Sequence, residues 1–123
     1  MDDRRAVGQR WEREAETFLR RKGLRLLERN FHCRGGEIDL VMLDRDSLVF
    51  VEVRYRTKDS HGSGAESVGL RKQSRLINAA RYYLMGNRPD ASKPCRFDVI
   101  SVSTKQGKPC FEWIRHAFEV TEG

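Results

Sequence analysis

Two aliphatic segments, Glu37 to Leu43 (EIDLVML) and Leu48 to Tyr55 (LVFVEVRY), stand four residues apart and constrain the fold more than anything else in the chain. Each is rich in β-branched and aliphatic residues, so each reads as a strand. The intervening Asp44-Arg45-Asp46-Ser47 has room only for a short hairpin loop. Alternation along a strand sets Ile38, Leu40 and Met42 on one face and Glu37, Asp39, Val41 and Leu43 on the other. In the second strand Val49, Val51 and Val53 oppose Leu48, Phe50, Glu52 and Arg54. Both faces are apolar for most of their length, so both must be covered, and the acids interrupt what would otherwise be core.

A loop centred between Arg45 and Asp46 fixes the register. Leu43 then faces Leu48, Val41 faces Phe50, Asp39 faces Glu52 and Glu37 faces Arg54. Apolar residues meet apolar ones, as a stable register requires. The same register brings two carboxylates opposite each other, with Cβ atoms about 5 Å apart. Such a pair is unfavourable unless one acid is protonated or a cation lies between them. Two arrangements satisfy it: a divalent ion such as Mg²⁺, which prefers carboxylate oxygen, or an ion-pair network in which Arg54 neutralises Glu37 and Glu52.

The rest of the chain supplies the cover. Val7, Trp11, Ala15, Phe18 and Leu19 recur at helical spacing and predict a helix from about Val7 to Lys22, ended by Gly23. Glu12 borders its apolar stripe. A strand follows over Leu24 to His32, with a turn at Arg34-Gly35-Gly36. A second helix is predicted from Val68 to Met85, with Gln73, Leu76, Ile77, Ala80, Tyr83 and Leu84 on one face and Arg71, Lys72, Arg75 and Arg81 on the other. Strands over Cys95 to Val102 and Phe111 to Phe118 complete the order. Helix, three strands, helix and two strands form an α/β sandwich around a mixed sheet, a single domain over residues 1–123. Arg56 to Glu66 and Gly86 to Lys93 read as loops. Glu12 and Gln73 both sit at or near helix faces that should meet the sheet. Either they converge on Asp39 and Glu52, or Glu12 is solvated at the helix edge and Gln73 bonds backbone.

Charge points outward. Lys plus Arg number 24 against 18 Asp plus Glu, a formal net charge of +6, which suits an anionic partner as well as an ordinary soluble surface. No apolar run is long enough for a membrane span, and the polar start Met1-Asp2-Asp3-Arg4-Arg5 lacks the apolar core of a secretory signal. Cys33, Cys95 and Cys110 are scattered and odd in number, so free thiols in a reducing cytoplasm are expected.

Several of these segments together resemble the YraN-like family of small bacterial proteins. They are Gly35-Gly-Glu-Ile-Asp39-Leu, then Val49-Phe-Val-Glu52-Val-Arg54, with Gly8-Gln-Arg-Trp-Glu12-Arg-Glu-Ala15 on the first helix. Arg71-Lys72-Gln73, Cys95-Arg96-Phe97-Asp98-Val99 and His116-Ala117-Phe118 extend the match over nearly the whole chain. That family is similar to the restriction-endonuclease-like nucleases, above all the Holliday-junction resolvases. The resemblance implies an αβββαββ nuclease fold and metal-dependent hydrolysis of DNA, with branched recombination or repair DNA as a candidate substrate and a fold-retaining, non-catalytic nucleic-acid-binding protein as the alternative. It implies Mg²⁺ or Mn²⁺ held by Glu12, Asp39 and Glu52, and a catalytic group of Asp39, Glu52, Arg54 and Gln73. Phosphates would be gripped by Arg54, Arg56, Lys58, Arg71, Lys72 and Arg75; resolvases of this type act as symmetric dimers, which makes a homodimer a candidate assembly, although the sequence itself carries no sign of a dimer face. No membrane partner is expected. Arg54 stands where such nucleases carry lysine. Arginine stays charged and cannot act as a base, though it can stabilise a phosphate. Lys72 could supply an amine, but its place on the basic outer face of the helix argues against that. Trp11 stands where the helix motif usually has glycine and is expected to crowd the pocket beside Glu12.

Overall fold

The computed structural model describes residues 4–56, 68–86 and 92–120, the first four of these as backbone alone. The order is α1 (Arg4–Arg21), β1 (Arg25–Cys33), β2 (Gly36–Asp44), β3 (Ser47–Tyr55), α2 (Leu70–Met85), β4 (Cys95–Lys105) and β5 (Lys108–Phe118). The five strands form one mixed α/β sheet in sequence order, antiparallel except for the parallel β3–β4 pair. That parallel step requires a crossover, and α2 supplies it. Among the described residues no helix is long and apolar enough to cross a membrane.

The two faces carry separate cores. Trp11, Ala15 and Leu19 of α1 pack on Leu40, Met42, Val49, Val51, Ile100 and Val102. Leu76, Ala79, Ala80 and Tyr83 of α2 pack on Ile38, Val41, Leu48, Phe50 and Phe97. Both helical stripes therefore follow the expected spacing; Val7 lies among the residues described as backbone alone. Gly23 ends α1 at φ +102°, a left-handed conformation that glycine adopts without steric cost.

Close approach explains the Gly35-Gly36 pair. A Cβ on Gly36 would run into the carbonyl oxygen of Arg75 and meet Ala79 Cβ at 3.2 Å. A Cβ on Gly35, at φ +89°, would meet Asn78 Nδ2 at 2.6 Å. The bare backbone of this turn is what lets α2 settle on the start of β2, and Asn78 donates to Arg34 O at 3.2 Å across the same contact.

Two polar anchors tie the edges in. Glu16, 5% exposed, accepts two hydrogen bonds from Arg29 of β1, at 2.6 and 3.0 Å. A two-point guanidinium–carboxylate pair fixes orientation as well as distance. At the other end Asp98 is buried and fully used. It accepts from Trp113 Nε1 at 2.9 Å, His116 N–H at 3.0 Å and Arg96 Nε at 3.0 Å. Arg96 also reaches Asp44 at 2.7 Å. Bulges at Leu26/Glu28 and Phe97/Val99 bend the two outer ladders.

Candidate functional site

The hairpin register holds through its apolar part. Leu43 pairs with Leu48, Met42 with Val49, Val41 with Phe50 and Leu40 with Val51. There the β2–β3 ladder stops, and the expected Asp39–Glu52 and Glu37–Arg54 pairs do not form part of it. The reason is a change of face. Leu40 and Met42 share a face, as expected, and look toward α1, but Ile38, expected beside them, looks toward α2, so the alternation slips at Asp39. The neighbouring strand slips at the same level: Arg29 reaches Glu16 on α1, Phe31 packs toward α2, and Asn30 between them has φ +50°. Asparagine tolerates that conformation better than most residues. Glu37, deprived of Arg54, pairs with His32 on β1, Nδ1 to Oε2 at 3.3 Å.

Where the ladder opens, the Asp39 side chain takes its place. Val53 N–H donates to Asp39 Oδ2 at 2.8 Å, so a backbone donor without a ladder partner is satisfied by a carboxylate. Asp39 also shares a hydrogen bond with Glu12 of α1. On the opposite side of the strand Glu52 is buried, 4% exposed, and its Oε1 lies 2.8 Å from Lys72 Nζ. The open end of the hairpin thus meets acids from α1, β2 and β3 and an amine from α2.

The electrostatics follow from burial. Loss of water pushes Asp39 up to about 7, and the facing Glu12 charge and hydrogen bond add to this against the lowering effects of Val53 N–H and Lys72. Burial, reinforced by the Asp39 charge, pushes Glu52 up to about 7 against the pull of Lys72 and Arg54. Burial raises Glu12 as well, chiefly against the hydrogen bond from Asp39. Three mutually repelling acids at one point of a stable sheet are a pattern found at functional sites.

The other expected site residues distribute unevenly. Lys72 leaves the outer face and reaches Glu52, which corrects the sequence expectation: the long aliphatic stem bends inward while the helix backbone keeps its basic face. Gln73 is partly buried and donates from Nε2 to Val68 O at 3.0 Å; it fastens the segment leading into α2. Arg54 and Arg56 are half-buried at the end of β3, and Arg54 acts on Glu52 through its charge. Lys58 lies outside the described residues. Arg71, Arg75 and Arg81 are exposed and line an open groove of about 600 Å³ along α2 with Gln73 and Asn78. Trp11 packs in the α1 core and stacks on Tyr55.

For a metal ion the donor chemistry is suitable and the present spacing is incomplete. All candidate ligands are oxygen, the preference of Mg²⁺ and Mn²⁺. Among the described residues, no group of three or more His, Cys, Asp or Glu side chains is arranged to hold an ion. Cys33, Cys95 and Cys110 are free.

Comparison with known proteins identifies the family of the chain. The family model described as uncharacterised protein family UPF0102 matches residues 11–102, a span that holds Glu12, Asp39, Glu52 and Lys72. The chain belongs to the UPF0102 family. A UPF0102 protein of Nitrosococcus oceani is 48% identical over 116 residues, covering 94% of each chain. One from Stutzerimonas stutzeri is 48% identical over 119 residues, covering 97% of this chain and 99% of its own. A third, from Alcanivorax borkumensis, is 45% identical over 113 residues. As a UPF0102 member the chain has relatives of matching length, and the acids, the paired glycines and α2 fall within the matched span.

Proposed function

We propose that this UPF0102 protein is a metal-dependent phosphodiesterase acting on DNA, built on a restriction-endonuclease-like arrangement of its mixed sheet. The observation that carries the reading is the open end of the β2–β3 hairpin. There Asp39 accepts from Val53 N–H at 2.8 Å, and the buried Glu52 meets Lys72 at 2.8 Å. Burying two acids that resist ionisation has no packing advantage, and an apolar pair would fill the same strand positions at less cost. A site that must attract a cation and a phosphate accounts for the expense.

Asp39 and Glu52 would hold the ion, with Glu12 adding charge from the side of α1. Bound there, Mg²⁺ or Mn²⁺ would supply an activated water and polarise the scissile phosphate. The chain's own groups do the rest. The Val53 N–H fixes which Asp39 oxygen is committed to the backbone, and the carboxyl that remains shares its hydrogen bond with Glu12, the other acid that would face a ligand. Lys72 holds Glu52 in place and offers the amine that Arg54 cannot provide. The Lys72 ammonium and Arg54, both acting on Glu52, would counter the charge that builds on a phosphate undergoing attack. The exposed Arg71, Arg75 and Arg81 line the groove with positive charge, suited to tracking a phosphate backbone independently of sequence. That groove also favours a second reading, a nucleic-acid-binding protein without catalysis, because the arginines need no acid site to act.

Cleavage assays on single-stranded, flapped and four-way-junction DNA, with Mg²⁺ or Mn²⁺, separate the two. The expected result is metal-dependent cleavage by the wild type and a loss of at least about a hundredfold in Asp39→Ala. Equal activity in both proteins, or no cleavage by either, would overturn the catalytic reading. Salt-sensitive binding that persists unchanged in chelator and in Asp39→Ala, without cleavage, would establish the second.

A further inference from the structure

We infer that Trp11 and Tyr55 form a stacking platform for one unpaired nucleobase beside the acidic site, so that the DNA recognised there is single-stranded or splayed rather than intact duplex. The inference rests on the nucleic-acid reading above and adds the kind of DNA structure to it.

Tyr55 ends β3 with 43% of its surface exposed, although Val51 and Val53, earlier on the same strand, contribute to the α1-side core. Its ring lies parallel to the indole of Trp11, with centroids 4.8 Å apart and planes within 7°. Trp11 is itself 7% exposed and belongs to the α1-side core. A lone tyrosine at a strand end swings freely. This one is laid flat on a rigid support, with little rotational freedom left to lose on binding. Arg10 places its guanidinium 5.1 Å from the Trp11 centroid, adding a cation to the stack.

Position links this pair to the acids. Glu12 follows Trp11 directly on α1. Val53, whose N–H holds Asp39, precedes Tyr55 by two residues on β3, about 7 Å along the strand. A phosphate near the acids would therefore carry its adjoining base toward the tyrosine ring. Every base offers a π-face to such a ring, and each stacked base contributes markedly to single-strand affinity. A base inside a duplex has both faces occupied and must leave the stack to reach it.

The experiment measures binding in EDTA at low salt, so that cleavage plays no part. A labelled oligothymidylate and a blunt duplex are titrated against wild type, Tyr55→Phe and Tyr55→Ala, with melting temperatures recorded for each. Tyr55→Ala is expected to bind the single strand about tenfold more weakly and the duplex within about twofold of wild type. Tyr55→Phe, which keeps the ring, should match wild type on both. Single-strand binding should also quench tryptophan fluorescence, and quenching should be lost in Trp11→Phe but not in Trp113→Phe. Unchanged single-strand affinity in Tyr55→Ala, or equal losses on both DNAs, would overturn the platform while leaving the nucleic-acid reading standing. Absence of binding to either DNA by the wild type would overturn both.

Discussion

Asp39→Asn is expected to make the metal-free protein more stable at pH 8, by on the order of 2 kcal/mol, while abolishing metal-dependent cleavage. The sign follows from the direction of the shift. In the folded chain burial holds Asp39 up to about 7, whereas an unfolded aspartate titrates near 3.9. Between those values the folded state binds more protons than the unfolded one, so stability falls as pH rises through that window and stays low above it. Glu52, also pushed up to about 7, acts in the same sense. Asparagine keeps an oxygen for the Val53 N–H and offers an amide hydrogen to Glu12, so geometry survives while the charge is removed. The gain over wild type should shrink as pH falls toward 5, where the wild-type acid is protonated, and at pH 8 it should shrink again when Mn²⁺ is added to the wild type. Thermal melts of both proteins at pH 5 and pH 8, in EDTA and in Mn²⁺, test it. A variant less stable than wild type at pH 8 in EDTA would mean that Asp39 is a structural anchor whose charge the fold needs.

Gly36→Val should produce the opposite effect, a loss of about 3 kcal/mol and a fall in Tm of roughly 10 °C. Any Cβ there runs into the Arg75 carbonyl, which is helix backbone and cannot rotate away as a side chain would. The only relief is to move α2 off β2, and Lys72 travels with it. The variant should therefore also lose the cation facing Glu52, and with it activity, even at temperatures where it stays folded. Gly8→Ala is the contrasting control. Nothing lies within 4 Å of a Cβ at Gly8, which sits in α1, so alanine should raise stability by about 0.5–1 kcal/mol through helix propensity alone. Denaturant midpoints for the three proteins decide the matter, and a Gly36→Val protein as stable as wild type would show that α2 is not held by this contact.

What could be read in the sequence follows the range of each physical signal. Strand and helix order came from hydrophobic periodicity, and the hairpin register from loop length with apolar matching. Both are local, and Leu40–Val51 through Leu43–Leu48 pair as they should. The slip at Asp39 was hidden because it depends on a neighbouring strand. Asn30 of β1 changes face at the same level, and nothing within EIDLVML announces it. The acids were legible as intruders, yet the way they are satisfied was not: Val53 N–H and Lys72 are partners set by tertiary geometry. Lys72 escapes the periodicity because helical spacing locates a Cβ, not the end of a four-carbon chain. Glu16 carries no local mark among the acids of α1, since its partner is Arg29, thirteen residues away on β1. Tyr55 is in sequence only the last residue of the LVFVEVRY run, and it is the fold that stacks it on Trp11.

The bent outer ladders carry a consequence for self-assembly. β1 and β5 are the rims of the sheet, where open backbone groups invite another strand to dock. On β1 the bulge at Leu26/Glu28 and the left-handed Asn30 spoil a straight template. On β5, Lys108, Pro109 and Arg115 add charge and a missing donor, and His116 at φ +51° breaks the run near its end. Neither rim can be lengthened smoothly by a second copy. A second copy of the chain would therefore meet the first more readily through a helical face than by adding strands to this sheet.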